Sequence, residues 1–227
     1  SPRGPSTYYL KSCFETRSER LRHRILFSLF CRWSDGIVVP STGTKDDCVK
    51  NFGSRPESIR VINNSLDTDE VRKKSGEIPD LFFSQDELLI STAGRLSMEK
   101  NIPFLLTAFS LLRSKEKVKL LVIGDGPERV RLESLAEDLG IGNDTVFVGF
   151  QENPYPFIRR SHIFVHTCLV EGFGNIIVEA MACRVPVVAT DCPFGPREII
   201  RDGENGILVS MDDPEELMRT LRALLHD

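Results

Sequence analysis

From Leu88 onward the chain alternates short apolar runs with stretches of helical period. Leu88–Ala93 predicts a strand, and Pro103–Arg113 predicts a helix with Phe104, Leu105, Ala108, Leu111 and Leu112 on one face. Strand Val118–Ile123 and helix Val130–Leu139 repeat the alternation, followed by strand Val146–Phe150, a short helix near Phe157–Arg160 and strand Ile163–Thr167. Helix Ile176–Cys183, strand Val185–Thr190, a helical turn at Arg197–Ile200 and strand Gly206–Val209 come next. The last helix, Pro214–Leu225, starts behind Asp212 or Asp213 as its cap. Strands rich in Val, Ile and Leu on both faces, separated by helices, predict a parallel sheet covered on both sides. The fold class is therefore α/β: a Rossmann-like parallel sheet flanked by helices.

The first 66 residues have a different pattern. Leu10–Trp33 is a long basic helical stretch with Leu21, Ile25, Leu29 and Trp33 on one face. Strand Gly36–Val39, helix Lys45–Phe52 and strand Ile59–Ile62 follow. One β-α-β unit is too short to make its own sheet, so residues 1–66 are expected to be the end of another Rossmann-like domain. Asp67, Thr68, Asp69, Glu70, Ser75, Gly76 and Pro79 make 67–87 read as a polar, turn-rich linker, which leaves 88–227 as the second domain.

Composition narrows the function classes. With 41% apolar and 27% charged residues over 227 positions, the chain reads as soluble and globular, with a sizeable core. A formal charge of −4 argues against a nucleic-acid partner. The charge is uneven, since residues 1–60 carry 11 Lys and Arg against 6 Asp and Glu. No apolar run approaches the roughly 18 residues of a membrane span. The six cysteines have no C-x-x-C spacing and no histidines at ligand spacing. They read as reduced core thiols rather than a zinc site or disulfide framework. The start, Ser1-Pro-Arg-Gly-Pro, lacks the apolar segment of a secretory signal, and the expectation is a fragment of a longer protein.

Four loops follow the C-terminal ends of predicted strands, where open α/β sheets bind ligands. In Gly94-Arg95-Leu96-Ser97-Met98-Glu99-Lys100-Asn101, Gly94 permits a tight exit and Arg95 and Lys100 can clamp an anion from two sides. Gly124-Asp-Gly126 lets a backbone approach a ligand. It fails as a dinucleotide fingerprint, because Arg129 stands where the third glycine belongs and no acidic residue ends Val146–Phe150. Glu171-Gly172-Phe173-Gly174-Asn175 leads into a helix whose free N–H groups favour a phosphate. Glu179 lies about one turn inside that helix among apolar neighbours, so it needs a partner, and a ligand hydroxyl is one. Cys192-Pro-Phe-Gly-Pro-Arg-Glu198 is a rigid loop, read equally as a plain connection or a site wall. Together, two Gly-rich turns, a cation pair and a carboxylate pair describe a pocket for a nucleoside diphosphate.

These residues resemble the retaining glycosyltransferases of the GT-B fold, family 4. The resemblance rests on Gly94-Arg95-Leu96 with Glu99-Lys100-Asn101, on Gly124-x-Gly126, on Glu171 and Glu179 with seven residues between them, and on Pro186-Val-Val-Ala189. It implies that Arg95 and Lys100 bind the donor's diphosphate, with Gly94 in their loop, and that Glu179 takes the ribose hydroxyls. Glu171 is implied beside the donor sugar, with the Gly174, Asn175 and Ile176 amides near phosphates or sugar. Gly124, Gly126 and Val148, Gly149 and Phe150 are implied around the base. The catalytic set so implied is Glu171, Arg95 and Lys100, with no metal required and an NDP-sugar, UDP by first choice, as donor substrate.

Two departures stand beside the resemblance. The family's acceptor domain, with its Gly-rich loop and a histidine near the sugar, is represented only by its last β-α-β, and the closing helix across to that domain is missing. The expectation is a donor-binding fragment, inactive alone, from an enzyme that moves a hexose or N-acetylhexosamine to a glycan or polyprenyl-linked acceptor. Leu10–Trp33 is read either as a peripheral contact with the inner face of the membrane or as a packed surface helix, with the protein cytoplasmic in both cases. A scaffold half completed by a partner chain and a GT-B-type nucleotide-sugar epimerase are the alternatives.

Overall fold

The computed structural model describes residues 16–78 and 87–227, so the predicted helical residues 10–15 and most of the second half of the predicted linker lie outside it. The chain divides into two compact units. The first holds the described residues up to Ser65 together with 170–174 and 192–199, and the second holds the remainder from Leu66.

In the first unit, helix α1 spans Arg17–Trp33. Thr16 closes its first turn as a capping box: its hydroxyl accepts from the Glu19 N–H while the Glu19 carboxylate accepts from the Thr16 N–H. The row Leu21, Ile25, Leu29 and Trp33 lies exposed, with Trp33 80% accessible. The buried contacts come from the neighbouring row instead. Phe27 stands edge-on to Phe52 at 4.7 Å and packs on the small cluster of Val39, Cys48 and Ile59. Strands β1 (Ile37–Val39) and β2 (Ile59–Val61) pair in parallel around helix α2 (Thr42–Phe52), which ends at Gly53 in the left-handed region.

The second unit opens with a helix in the stretch read as linker, α3 (Thr68–Lys74). Only Val71 is buried, so there is no apolar period to read; the Asp67 cap and a Lys74–Glu70 pair at 2.8 Å support it, with acidic residues in the first turn and basic ones in the last. The order then follows the predicted alternation: β3 (Leu88–Ala93), α4 (Ile102–Arg113), β4 (Val118–Ile123), α5 (Arg129–Asp138), β5 (Thr145–Gly149), α6 (Tyr155–Arg160), β6 (Ile163–His166), α7 (Asn175–Ala182), β7 (Val187–Thr190), the turn α8 (Pro196–Ile199, grouped with the first unit), β8 (Ile207–Val209) and α9 (Pro214–Leu225).

The six strands of this unit form one parallel sheet in the order β5-β4-β3-β6-β7-β8. Alternate strand residues on one face (Ile90, Leu120, Val122, Ile163, Val165, Val188) pack against Leu105, Phe109 and Leu112 of α4, Leu132 of α5 and Leu217 and Leu221 of α9. Helices α6 and α7 lie over the other face. Each fully buried Leu or Phe contributes roughly 1.5–3 kcal/mol. The chain runs outward from β3 through β4 to β5, then returns to β6 on the other side of β3. That reversal leaves a crevice at the C-terminal ends of β3 and β6.

Candidate functional site

The loop leaving β3 is built into this crevice from both sides. Gly94 (φ 149°) donates its N–H to the Ile123 carbonyl at 2.9 Å. Leu96, 1% exposed, donates to Asp125 at 2.9 Å and accepts from Glu128 at 3.1 Å. With both its neighbours pinned to the β4 exit, Arg95 is held exposed; its carbonyl accepts from the Ser97 hydroxyl at 3.4 Å, and its side chain has no ion pair or hydrogen bond among the described residues. A 3-10 turn over Met98–Lys100 follows, and Asn101 takes the left-handed conformation (φ 48°) that lets α4 begin. From the β6 side, the Thr167 hydroxyl donates to the Lys100 carbonyl at 3.0 Å and the Leu169 N–H donates to the Glu99 carbonyl at 2.9 Å.

Lys100 lies over the strand exit, its Cε 3.6 Å from where a Cβ at Gly94 would be. Gly94, Arg95, Lys100, His166 and Thr167 line a small cavity at this corner. His166 and Thr167 are site-lining residues that the sequence reading missed. They carry no motif, and only the strand order puts the end of β6 beside the end of β3.

The second glycine turn has a structural cause. A Cβ at Gly124 would run into the Gly94 carbonyl, and one at Gly126 into the Leu96 carbonyl. These glycines therefore let the β3 and β4 exits pack backbone to backbone. Gly124 also donates to the Gly149 carbonyl at 2.8 Å, which draws the end of β5 into the same corner. Gly149 has φ 80°, and Phe150 beyond it is exposed. Val148 is half-buried.

Glu179 sits half-buried on α7, where burial pushes its carboxyl pKa up. Its side chain has no hydrogen bond or ion pair among the described residues. Its charge acts on Tyr155 and Cys183: the Tyr155 hydroxyl pKa is raised by burial and by Glu179, and the Cys183 thiol is pushed up to about 11, mainly by burial. In the same helix Asn175 is exposed and Ile176 half-buried. Glu171 and Gly174 belong to the first compact unit, where a Glu171 carboxylate oxygen accepts from the Gly172 N–H at 3.0 Å and Gly174 has φ 100°. The structure thus gathers Gly94, Arg95, Lys100, Gly124, Gly126 and Gly149 at one corner of the second unit.

The sequence and the fold both match known proteins. Residues 74–227 fit the family described as glycosyl transferases group 1, and residues 4–70 fit glycosyltransferase family 4. The chain belongs to the group 1 glycosyl transferases. It is 31% identical over 223 residues to the Campylobacter jejuni N-acetylgalactosamine-N,N'-diacetylbacillosaminyl-diphospho-undecaprenol 4-alpha-N-acetylgalactosaminyltransferase, covering 98% of this chain and 58% of that protein. It is 33% identical to the Rhizobium meliloti lipopolysaccharide core biosynthesis glycosyltransferase LpsE, covering 87% of this chain and 56% of LpsE. Anabaena HepE, solved in complex with UDP, superposes with a TM-score of 0.75 at 24% identity, covering 94% of this chain and 59% of HepE. Sucrose-phosphate synthase from Thermosynechococcus elongatus gives 0.78 at 21%, covering 96% and 56%. These two establish the shared GT-B fold. The glycosyltransferase chain described here spans little more than half the length of such relatives. No helix of the described residues is long and apolar enough to cross a membrane.

Proposed function

We propose that this chain binds the donor of a retaining glycosyltransferase, which moves a hexose or N-acetylhexosamine from an NDP-sugar, UDP by preference, to a glycan or polyprenyl-linked saccharide. The observation that carries the reading is the Arg95–Lys100 loop, pinned by backbone hydrogen bonds at the crevice between β3 and β6. Arg95 and Lys100 take the diphosphate. When the bond from the sugar C1 to the phosphate oxygen breaks, the electron pair leaves with the nucleoside diphosphate, and the two cations of this backbone-pinned loop meet the charge that develops. They supply the countercharge without a divalent metal.

Glu179 accepts the ribose hydroxyls, which give its half-buried carboxylate the partners that the protein side does not. Gly124, Gly126 and the Val148–Phe150 segment flank the base. Glu171 is assigned to the donor sugar and the Gly174–Ile176 amides to the phosphates, as the resemblance implies. The UDP bound by HepE supports UDP as the first choice of nucleotide, and the Campylobacter relative's name supports an N-acetylhexosamine and a polyprenyl carrier. Such a carrier puts the work at the cytoplasmic face of a membrane, and the exposed Leu21, Ile25 and Trp33 beside Arg22, Arg24 and Arg32 on α1 suit a peripheral contact there. Acceptor binding, and with it full activity, needs sequence of the relatives that this chain does not match.

Thermal-shift titration with UDP, GDP, ADP and NAD tests the reading. A ligand at 100 times its Kd adds roughly 2.7 kcal/mol of stability. Stabilisation by one nucleoside diphosphate, lost in Arg95→Ala and Glu179→Ala, is expected. Stabilisation by NAD alone overturns it.

A further inference from the structure

In the first compact unit, the N-terminus of α2 is tied to two loops far away in sequence. The Thr42 and Gly43 N–H groups donate to the two carboxylate oxygens of Glu198, each at 2.8 Å. One carboxylate thus satisfies two of the free amides of a helix start, where its charge also suits the helix dipole. The Ser41 hydroxyl serves the next amide, Thr44, and the Thr44 hydroxyl reaches the Gly172 carbonyl at 3.4 Å.

The Glu198 loop is held in an unusual shape. Phe194 (φ 69°) and Gly195 (φ 57°) are consecutive left-handed residues. A bulky aromatic rarely adopts that conformation, and it persists where its surroundings impose it. Here the Phe194 ring occupies the place a Cβ at Gly43 would take. Gly195 is equally confined, since a Cβ there would stand 2.8 Å from the Phe173 carbonyl oxygen and 3.2 Å from the Glu171 Cβ. The helix start, the 192–199 loop and the 170–174 loop that carries Glu171 therefore form one packed cluster.

We infer that Glu198 is a positioning residue for Glu171: by bridging Thr42 and Gly43 it holds Phe194 and Gly195 against the Glu171–Phe173 backbone. The inference rests on the proposed place of Glu171 beside the donor sugar. Glu198 itself touches no substrate. Its loss spares the nucleotide contacts of Arg95, Lys100 and Glu179 and disturbs the sugar end alone.

The test uses the full chain as wild type, Glu198→Gln, Glu198→Asp and Gly43→Ala. Hydrogen exchange is read on peptides spanning 170–174, with the affinities for UDP and for intact UDP-N-acetylgalactosamine beside it. In Glu198→Gln, amides of 170–174 exchange at least tenfold faster while those of β3 and β4 are unchanged. Its UDP Kd stays within twofold, the Kd for intact UDP-N-acetylgalactosamine rises at least tenfold, and Glu198→Asp recovers part of that loss. Gly43→Ala, which displaces Phe194 from the other side, gives the same pattern if Glu198→Gln does not fold. Unchanged exchange at 170–174, or a UDP affinity that falls in step with that for UDP-N-acetylgalactosamine, overturns the inference. A wild type that binds no UDP overturns the donor-site reading instead, and the exchange result then decides the positioning role alone.

Discussion

The Thr167 hydroxyl donates a 3.0 Å hydrogen bond to the backbone carbonyl of Lys100, tying the end of β6 to the loop that leaves β3. Residues 67 positions apart are thereby joined across the crevice of the sheet. The bond fixes the backbone of a lysine whose side chain lies over Gly94, so it bears on where the positive charge of this loop stands.

Thr167→Val keeps the shape of the side chain and removes this bond. The loss is expected to cost about 1 kcal/mol of stability and to weaken UDP binding several-fold. Denaturant unfolding and calorimetry check the two effects separately, and Arg95→Ala, at an exposed position, is the comparison that weakens binding with little change in stability.

Gly124 and Gly140 both have positive φ, at 129° and 69°, but only Gly124 has a backbone carbonyl in the way of a Cβ. Gly140→Ala is expected to cost about 1–2 kcal/mol from conformation alone. Gly124→Ala costs at least about 1 kcal/mol more, since it separates the exits of two central strands. Unfolding midpoints of the two variants read the difference.

Glu179 carries a pKa raised by burial. A carboxyl whose folded pKa exceeds its unfolded one favours the folded state while protonated, below its ordinary range. That contribution is lost as pH rises through the folded pKa. Glu179→Gln is therefore expected to stabilise the ligand-free chain at pH 7 and to make no difference at pH 4. The same variant binds UDP more weakly at pH 7. Thermal unfolding of both proteins at the two pH values, with and without UDP, checks the sign.

Burial pushes the Cys48 thiol up to about 12, helped by neighbouring Cys31 and Asp47, and Cys183 up to about 11. Because the thiolate is the reactive form, both stay unmodified by iodoacetamide at pH 8 in the folded chain and react once it is unfolded in denaturant. Peptide mass analysis distinguishes the sites.

Local pattern decided much of this protein. Val, Ile and Leu on both faces of Leu88–Ala93 and Val118–Ile123 made these central strands, and helix Pro214–Leu225 was legible to its ends. The tight exit at Gly94 was legible too, since a glycine directly after an apolar run marks where the strand ends. Helix Thr68–Lys74 was not: with Val71 alone buried, its support comes from a cap and charges, which leave no apolar period. Nor could periodicity say which row of α1 would be covered; Phe27 and Cys31 pack, while Leu21 and Trp33 face outward.

What only the tertiary structure decided is pairing. Any of the strands could neighbour any other by pattern, and the order that puts β6 beside β3 is what brings His166 and Thr167 to the Arg95–Lys100 loop. The same holds for Gly124, whose missing side chain answers to the Gly94 carbonyl, and for Glu198, whose carboxylate answers to two amides more than 150 residues away. Residue type and period are properties of a short stretch of chain, and they fix the elements. Contacts between stretches depend on which buried surfaces and backbone groups satisfy one another in the packed state, which no local pattern encodes.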